Sequence, residues 1–289
     1  MKNVKLNFYK NAIVDDPSHL YNPFTQKIMI QNLSNTMVTI TFEDEMPSFL
    51  TFELVHSNIL LVEEYKGELV SNCETFHIDA DSKLTRIGLY IDVDASLKLK
   101  REVLNEGYYH NIQLDVSDAS ISMDEKVQLL HPDSSCLMNS AIYAQKKNTK
   151  FYTTNFIHQK PSTKSDCKIY GVCNDSAQLS LATDAYIIKG ASQSKAKQEG
   201  RIIHLTGNCK GVIYPDLHID ENDVEAAHSC SVGSVNLDHL YYLQTRGFSM
   251  QEGKNLFYSH FSIYQRRIIK RENATSHTKK DWVICVWIF

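Results

Sequence analysis

Apolar and polar residues alternate along most of this chain, and that alternation predicts strands. Val38, Ile40 and Phe42 alternate with threonines, and Phe52 and Leu54 alternate with polar neighbours. Ile87, Leu89, Ile91 and Val93 form another run, followed by Ile112, Leu114 and Val116, then Ala119, Ile121 and Met123. Residues 59–62 are continuously apolar, as in a strand covered on both faces. Short polar turns such as Asp79-Ala80-Asp81 and Asn105-Glu106-Gly107 separate the runs. Further runs lie at 168–172, 179–181 and 185–188. Residues 191–199 lack large apolar side chains and read as a solvated loop, with Arg201 opening the next run. No long helix is predicted before residue 235.

The chain is most patterned at 200–248. Short β-type runs at 202–205, 212–214, 217–219 and 224–232 each end at Gly, Asn, Asp or Pro. If 224–232 is one strand, Val224, Ala226, His228, Cys230 and Val232 share a face. His228 and Cys230 are then roughly 7 Å apart at the backbone. An imidazole and a thiolate that close suit a soft metal, or the completion of a site shared with another chain. A half-buried His beside an inert Cys fits as well, and two ligands alone favour that plainer reading. His204 and His218 lie on neighbouring runs, but strand facing is uncertain by one residue. Cys209, between Gly207 and Gly211, reads as a turn thiol open to solvent.

After residue 235 the period changes, and Leu237, Leu240, Tyr241 and Leu243 fit a helix. Asn236 suits the N-cap and Gly247 the left-handed C-terminal position. Ser249-Met250-Gln251-Glu252 is a capping box that opens a second helix, running to about residue 269, with Leu256 and Phe257 at helical spacing. Residues 271–289 read as a tail whose last part, from Trp282, is strongly apolar. Residues 1–235 are therefore expected to form an all-β core, with 1–35 as a possible irregular lead-in, and 236–270 the helices. A sandwich, a barrel and a β-solenoid all fit many short strands, and there is no strict repeat to choose among them.

Composition narrows the function. Hydrophobic residues make up 43% and charged residues 22%, ordinary for a globular chain. A net charge of -4 argues against nucleic acid or an anionic membrane as partner. No stretch of about 18 apolar residues predicts a membrane span, and no apolar leader is seen. The expected location is the cytoplasm, or an organellar matrix or stroma. Seven scattered cysteines without a leader read as free thiols. No phosphate-binding G-x-x-x-x-G-K-[ST] loop is present, so no bound nucleotide is expected.

The stretch Asn222-Asp223-Val224, Ala227-His228-Ser229-Cys230-Ser231-Val232-Gly233 and Leu240-Tyr241-Tyr242-Leu243-Gln244-Thr245-Arg246-Gly247-Phe248-Ser249 resembles the C-terminal signature of the SufB/SufD family, subunits of the SUF iron–sulfur cluster assembly complex. Tyr170-Gly171-Val172, Asn174-Asp175, Arg201 and Pro215 extend the likeness backwards. The resemblance implies a right-handed parallel β-helix followed by a short C-terminal helical segment. It implies a non-enzymatic scaffold that pairs with a SufB-like subunit, or with itself, and with a SufC-like ABC ATPase. A transient iron–sulfur cluster is implied at the subunit interface. SufB proteins carry C-D-S-L-L-I-G where this chain has Gly200-Arg201-Ile202-Ile203-His204-Leu205-Thr206, so the likeness is to SufD. His228 then matches the His implicated in cluster assembly. The family's Cys two residues earlier is replaced by Ala226, and Cys230 lies two residues later on the same expected face. Cys209 is a second candidate for this interface. Leu240, Tyr241, Arg246, Leu256 and Phe257 fall in the helices that the resemblance assigns to ATPase docking. Family members are longer at the N-terminus, so the chain reads as a short form. The alternative is a parallel β-helix enzyme acting on polysaccharide, with carboxylates drawn from Asp216, Asp220, Glu221 and Asp223.

Overall fold

A computed structural model describes residues 2–9, 12–16, 19–235, 237–250 and 252. The expected parallel β-helix is borne out. Nineteen strands are followed by one helix among the described residues, α1 at Leu237–Thr245. From β4 (Lys27–Gln31) and β5 (Ser34–Glu43) onward, successive strands alternate between two sheets. The odd-numbered strands end at β19 (Glu225–Ser234) in a ten-stranded sheet, and the even-numbered ones end at β18 (Lys210–Ile219) in a nine-stranded sheet. Each coil thus places one strand in each sheet, and coil stacks on coil in parallel register. Among the described residues only the first strands break the pattern, with β1 (Lys2–Tyr9) antiparallel to β2 (Ala12–Asp15) and β3 (Tyr21–Asn22) antiparallel to β4. The chain divides into two compact units, Met1–Gly233 and Ser234–Phe289. Among the described residues no helix is long and apolar enough to cross a membrane.

Coil length drifts along the solenoid. The stacked corner residues Ser57 and Ser82 are 25 positions apart, whereas Thr163 and Ser194 are 31 apart. A register that tolerates such drift explains why the sequence shows no fixed repeat.

Register also stacks identical chemistry. Phe8, Phe42, Tyr65 and Tyr90 pair in turn along the ten-stranded sheet. Their rings stack at centroid distances of 5.3, 5.2 and 4.4 Å. Each such pair adds about 0.5–1.5 kcal/mol beyond simple burial.

The middle of the interior is polar, which the alternation does not predict. In β9 (Lys83–Val93) the inward face carries Arg86 and Tyr90, both fully buried, while Leu89 and Ile91 of the apolar run lie half-buried on the other face. In β11 (Tyr108–Asp115) the inward face carries Tyr109, Asn111, Gln113 and Asp115. These groups are paired. Arg101 holds Glu74 at 2.6 Å and Glu125 at 3.1 Å, and Arg86 holds Glu63 at 2.5 Å and donates to Asn111 at 2.9 Å. Three carboxylates share two guanidiniums, so one acid has less compensation. Burial raises the Glu63 pKa to about 7 against the pull of Arg86, whereas at Glu74 burial is the largest single effect but is outweighed by Arg101 and Arg86 together with the hydrogen bonds from Arg101 and Tyr65, and the pKa is lowered. Farther on, Lys150 meets Asp115 at 2.7 Å, and Tyr152 donates to the same carboxylate at 2.7 Å.

The reading of 191–199 as a solvated loop is overturned. β17 (Lys195–His204) begins inside that stretch and includes Arg201, while Ala191, Ser194 and Ala196 are fully buried. Small residues suit this wall because the coil is narrow there. A Cβ on Gly200 would collide with the Ile213 side chain of the opposite sheet. Buried Gln198 spans the same gap, its amide donating to the Asp216 carbonyl at 3.2 Å.

Candidate functional site

The run at 224–232 folds as the predicted strand, shifted to Glu225–Ser234. β19 is the last strand of its sheet and bonds on one side to β17, as in Glu225 N–H to the Ser194 carbonyl at 3.0 Å. Val224 and Ala226 pack on the core. Period two then puts His228 and Cys230 on the same, inward-directed face. Both are nevertheless exposed, as is Val232 at 45%. No further strand covers this face among the described residues. An imidazole and a thiol therefore stand at the end of the coil stack, on a strand that has no partner strand on its outer edge among the described residues. Two such donors can hold iron or sulfide only in part, so the remaining ligands must come from elsewhere.

The other expected residues fall in different places. Cys209 is corrected. It is buried, only 6% exposed, with its thiol directed to the carbonyls of Thr206 at 3.0 Å and Cys173 at 3.1 Å. The turn folds the thiol under the chain, where it helps to push the neighbouring Cys173 thiol up to about 12, after the larger effect of burial. His204 accepts a hydrogen bond from Gly211 N–H at 3.0 Å. His218 lies on β18, in the other sheet from His228. The carboxylates are dispersed. Asp216 is on β18, while Asp220, Glu221 and Asp223 sit in the turn before β19, where Glu221 accepts from Gly190 N–H at 2.9 Å. Glu221 therefore serves the turn.

In the second unit α1 forms as its period predicts. Leu240 is buried and Tyr241 is 70% exposed. Gly247 adopts φ 91°, with Phe248 N–H bonding to Leu243 and Gly247 N–H to Gln244, the left-handed helix end read from the sequence. Arg246 lies over the Tyr242 ring at 5.3 Å. The capping box is formed: Ser249 N–H donates to Glu252 at 2.8 Å, and Glu252 N–H to the Ser249 hydroxyl at 3.2 Å. Asn236, Leu256, Phe257, the body of the second helix and residues 271–289 lie outside the described residues.

Residues 55–261 match the family described as SUF system FeS cluster assembly, SufBD core domain. The chain belongs to the SufBD core family. It is 35% identical over 117 residues to the iron-sulfur cluster assembly protein SufD of Bacillus subtilis (strain 168), covering 40% of this chain and 27% of that protein. It is 26% identical over 113 residues to Protein ABCI7, chloroplastic, of Arabidopsis thaliana, covering 37% of this chain and 24% of that one. The matched segments span about a quarter of each relative's length. SufBD membership agrees with the parallel solenoid, and the family is described by iron–sulfur cluster assembly. It does not favour the polysaccharide-active alternative.

Proposed function

We propose that this chain is a SufD-like scaffold subunit that pairs with a SufB-like subunit and a SufC-like ABC ATPase to build and pass on iron–sulfur clusters. Its work is binding rather than turnover, and the cluster is cargo. His228 is the chief donor, and Cys230 stands in for the family Cys missing at Ala226. Cys209 takes no part, because its thiol is covered. Leu240, Tyr241 and Arg246, with Leu256 and Phe257 beyond the described residues, belong to the ATPase-docking helices. Nucleotide is bound by the ATPase, and assembly occurs in the cytoplasm or an equivalent organellar compartment.

One observation carries this reading. The inward-directed face of β19 bears His228 and Cys230 and is exposed at the end of the stack. A second solenoid end laid against it would extend the sheets, bury the apolar remainder and complete the ligand set. Co-purification with SufB-like and ATPase subunits, followed by iron and acid-labile sulfide analysis, tests it. The complex should form with wild type and with His228→Ala, while the variant should lose most of its iron and sulfide. A His228→Ala complex with undiminished iron and sulfide would leave the chain as an interaction subunit without a metal role.

A further inference from the structure

β16 (Gln178–Ile187) and β18 close the nine-stranded sheet, and their outer face carries a block of four side chains. Asp184 pairs in register with Asp216, and Tyr186 with His218. Alternation directs all four away from the core, since the intervening Thr183, Ala185 and Ile187 are buried. Ligand atoms of Asp184, Asp216 and His218 all lie within 4.8 Å of one another.

Two features point to a bound cation. Like charges directly abreast on neighbouring strands repel, yet neither carboxylate has a Lys or Arg ion-pair partner among the described residues. Separately, the His218 ring lies flat on Tyr186, with centroids 4.4 Å apart and planes at 7°. That stack orients the imidazole at the third corner, while the paired strands position the other two donors.

We propose that Asp184, Asp216 and His218 form a surface site for a first-row divalent metal ion, a class that includes ferrous iron, manganese and zinc. Two carboxylates and one imidazole suit that class. Calcium and magnesium take oxygen donors, and soft ions take thiolates. Small side-chain rotations bring the donors to the roughly 2.0–2.2 Å that such an ion requires, and water fills the remaining positions. The site lies in the other sheet from His228 and does not depend on the proposed cluster chemistry.

Titration of tag-free, metal-stripped chain with Co2+, followed by visible absorption and equilibrium dialysis, tests the assignment. Wild type should bind one equivalent at this site, and millimolar Mg2+ should not displace it. His218→Gln and Asp184→Asn should each weaken binding about 10-fold or more, since loss of a ligand costs no less than loss of its supporting partner. Metal-free Asp184→Asn should melt no lower than wild type, because it removes a repulsion. Equal binding by wild type and the His218→Gln/Asp184→Asn double variant would overturn the site, as would displacement by Mg2+. A lowered melting temperature for metal-free Asp184→Asn would also overturn it, by showing that the carboxylate is already paired.

Discussion

The middle of the solenoid and its last strand show the same alternation with opposite outcomes. In β9, β10 (Leu97–Asn105) and β12 (Ile121–Leu129) the inward face carries Arg86, Arg101 and Glu125, and the coils on either side bury them almost completely. In β19 the inward face carries His228 and Cys230, and both are exposed. The difference lies in the cover, not in the strand. A solenoid strand supplies one wall of its coil, and the next coil seals it. Charges in the middle therefore compensate one another and hold the fold, while polar groups on the last described strand are exposed, which is what the proposed pairing requires.

The strongest way to break that contrast is to strand a charge in the sealed region. Arg101→Met leaves Glu74 and Glu125 without their shared partner and should cost about 3–5 kcal/mol in urea unfolding. Retention of wild-type stability would mean that the middle is wetter than its geometry shows.

Acidity probes the same sealed region with two opposite slopes. His158 is buried between Thr163 and Ser165, and burial lowers its pKa to about 4 from 6.5. Its contribution is present above pH 6.5 and is lost as pH falls toward 4, amounting to about 3 kcal/mol, which His158→Gln should remove from the pH dependence. Glu63 has the other sign. Its pKa is raised from 4.5 to about 7, so its contribution is complete below pH 4.5 and is lost as pH rises through 7. Glu63→Gln should therefore gain about 3 kcal/mol relative to wild type between those limits. Parallel stability–pH curves for wild type and both variants would contradict the buried titrations.

Smaller effects belong to the ends. Gly247→Ala forces a side chain into φ 91° and should cost α1 about 1 kcal/mol, read as faster amide exchange across Leu237–Thr245. His228→Ala and Cys230→Ala should change unfolding stability by less than about 0.5 kcal/mol, as exposed substitutions do. A large loss at either position would mean that this face is sealed after all.

The sequence made some features plain and hid others for physical reasons. Strand period was legible wherever the inward side chains were apolar, as at Ile121 and Met123, and the helix end at Gly247 was legible because its backbone needs glycine. In β9 and β11 the period marked the wrong face, since Arg86, Asn111 and Asp115 are inside and paired by residues from other coils. Such pairing depends on coil length, and coil length drifts. The same drift hides Asp184, whose neighbour Asp216 is one coil later. Residues 191–199 looked polar because a narrow coil is walled by alanine, serine and glutamine. His228 and Cys230 were legible as a pair sharing a face, but their exposure was not, because it depends on whether a further coil covers β19.

Cysteine alkylation resolved by site is the most direct test of an end awaiting cover. Among the described cysteines Cys230 is exposed, Cys73 is intermediate, and Cys136, Cys167, Cys173 and Cys209 are buried. In the chain alone Cys230 should react fastest of these six. Adding a SufB-like subunit should slow Cys230 at least about tenfold and leave the buried thiols unchanged. Equal Cys230 reactivity with that subunit bound would show that the open face of β19 is not where the two chains meet.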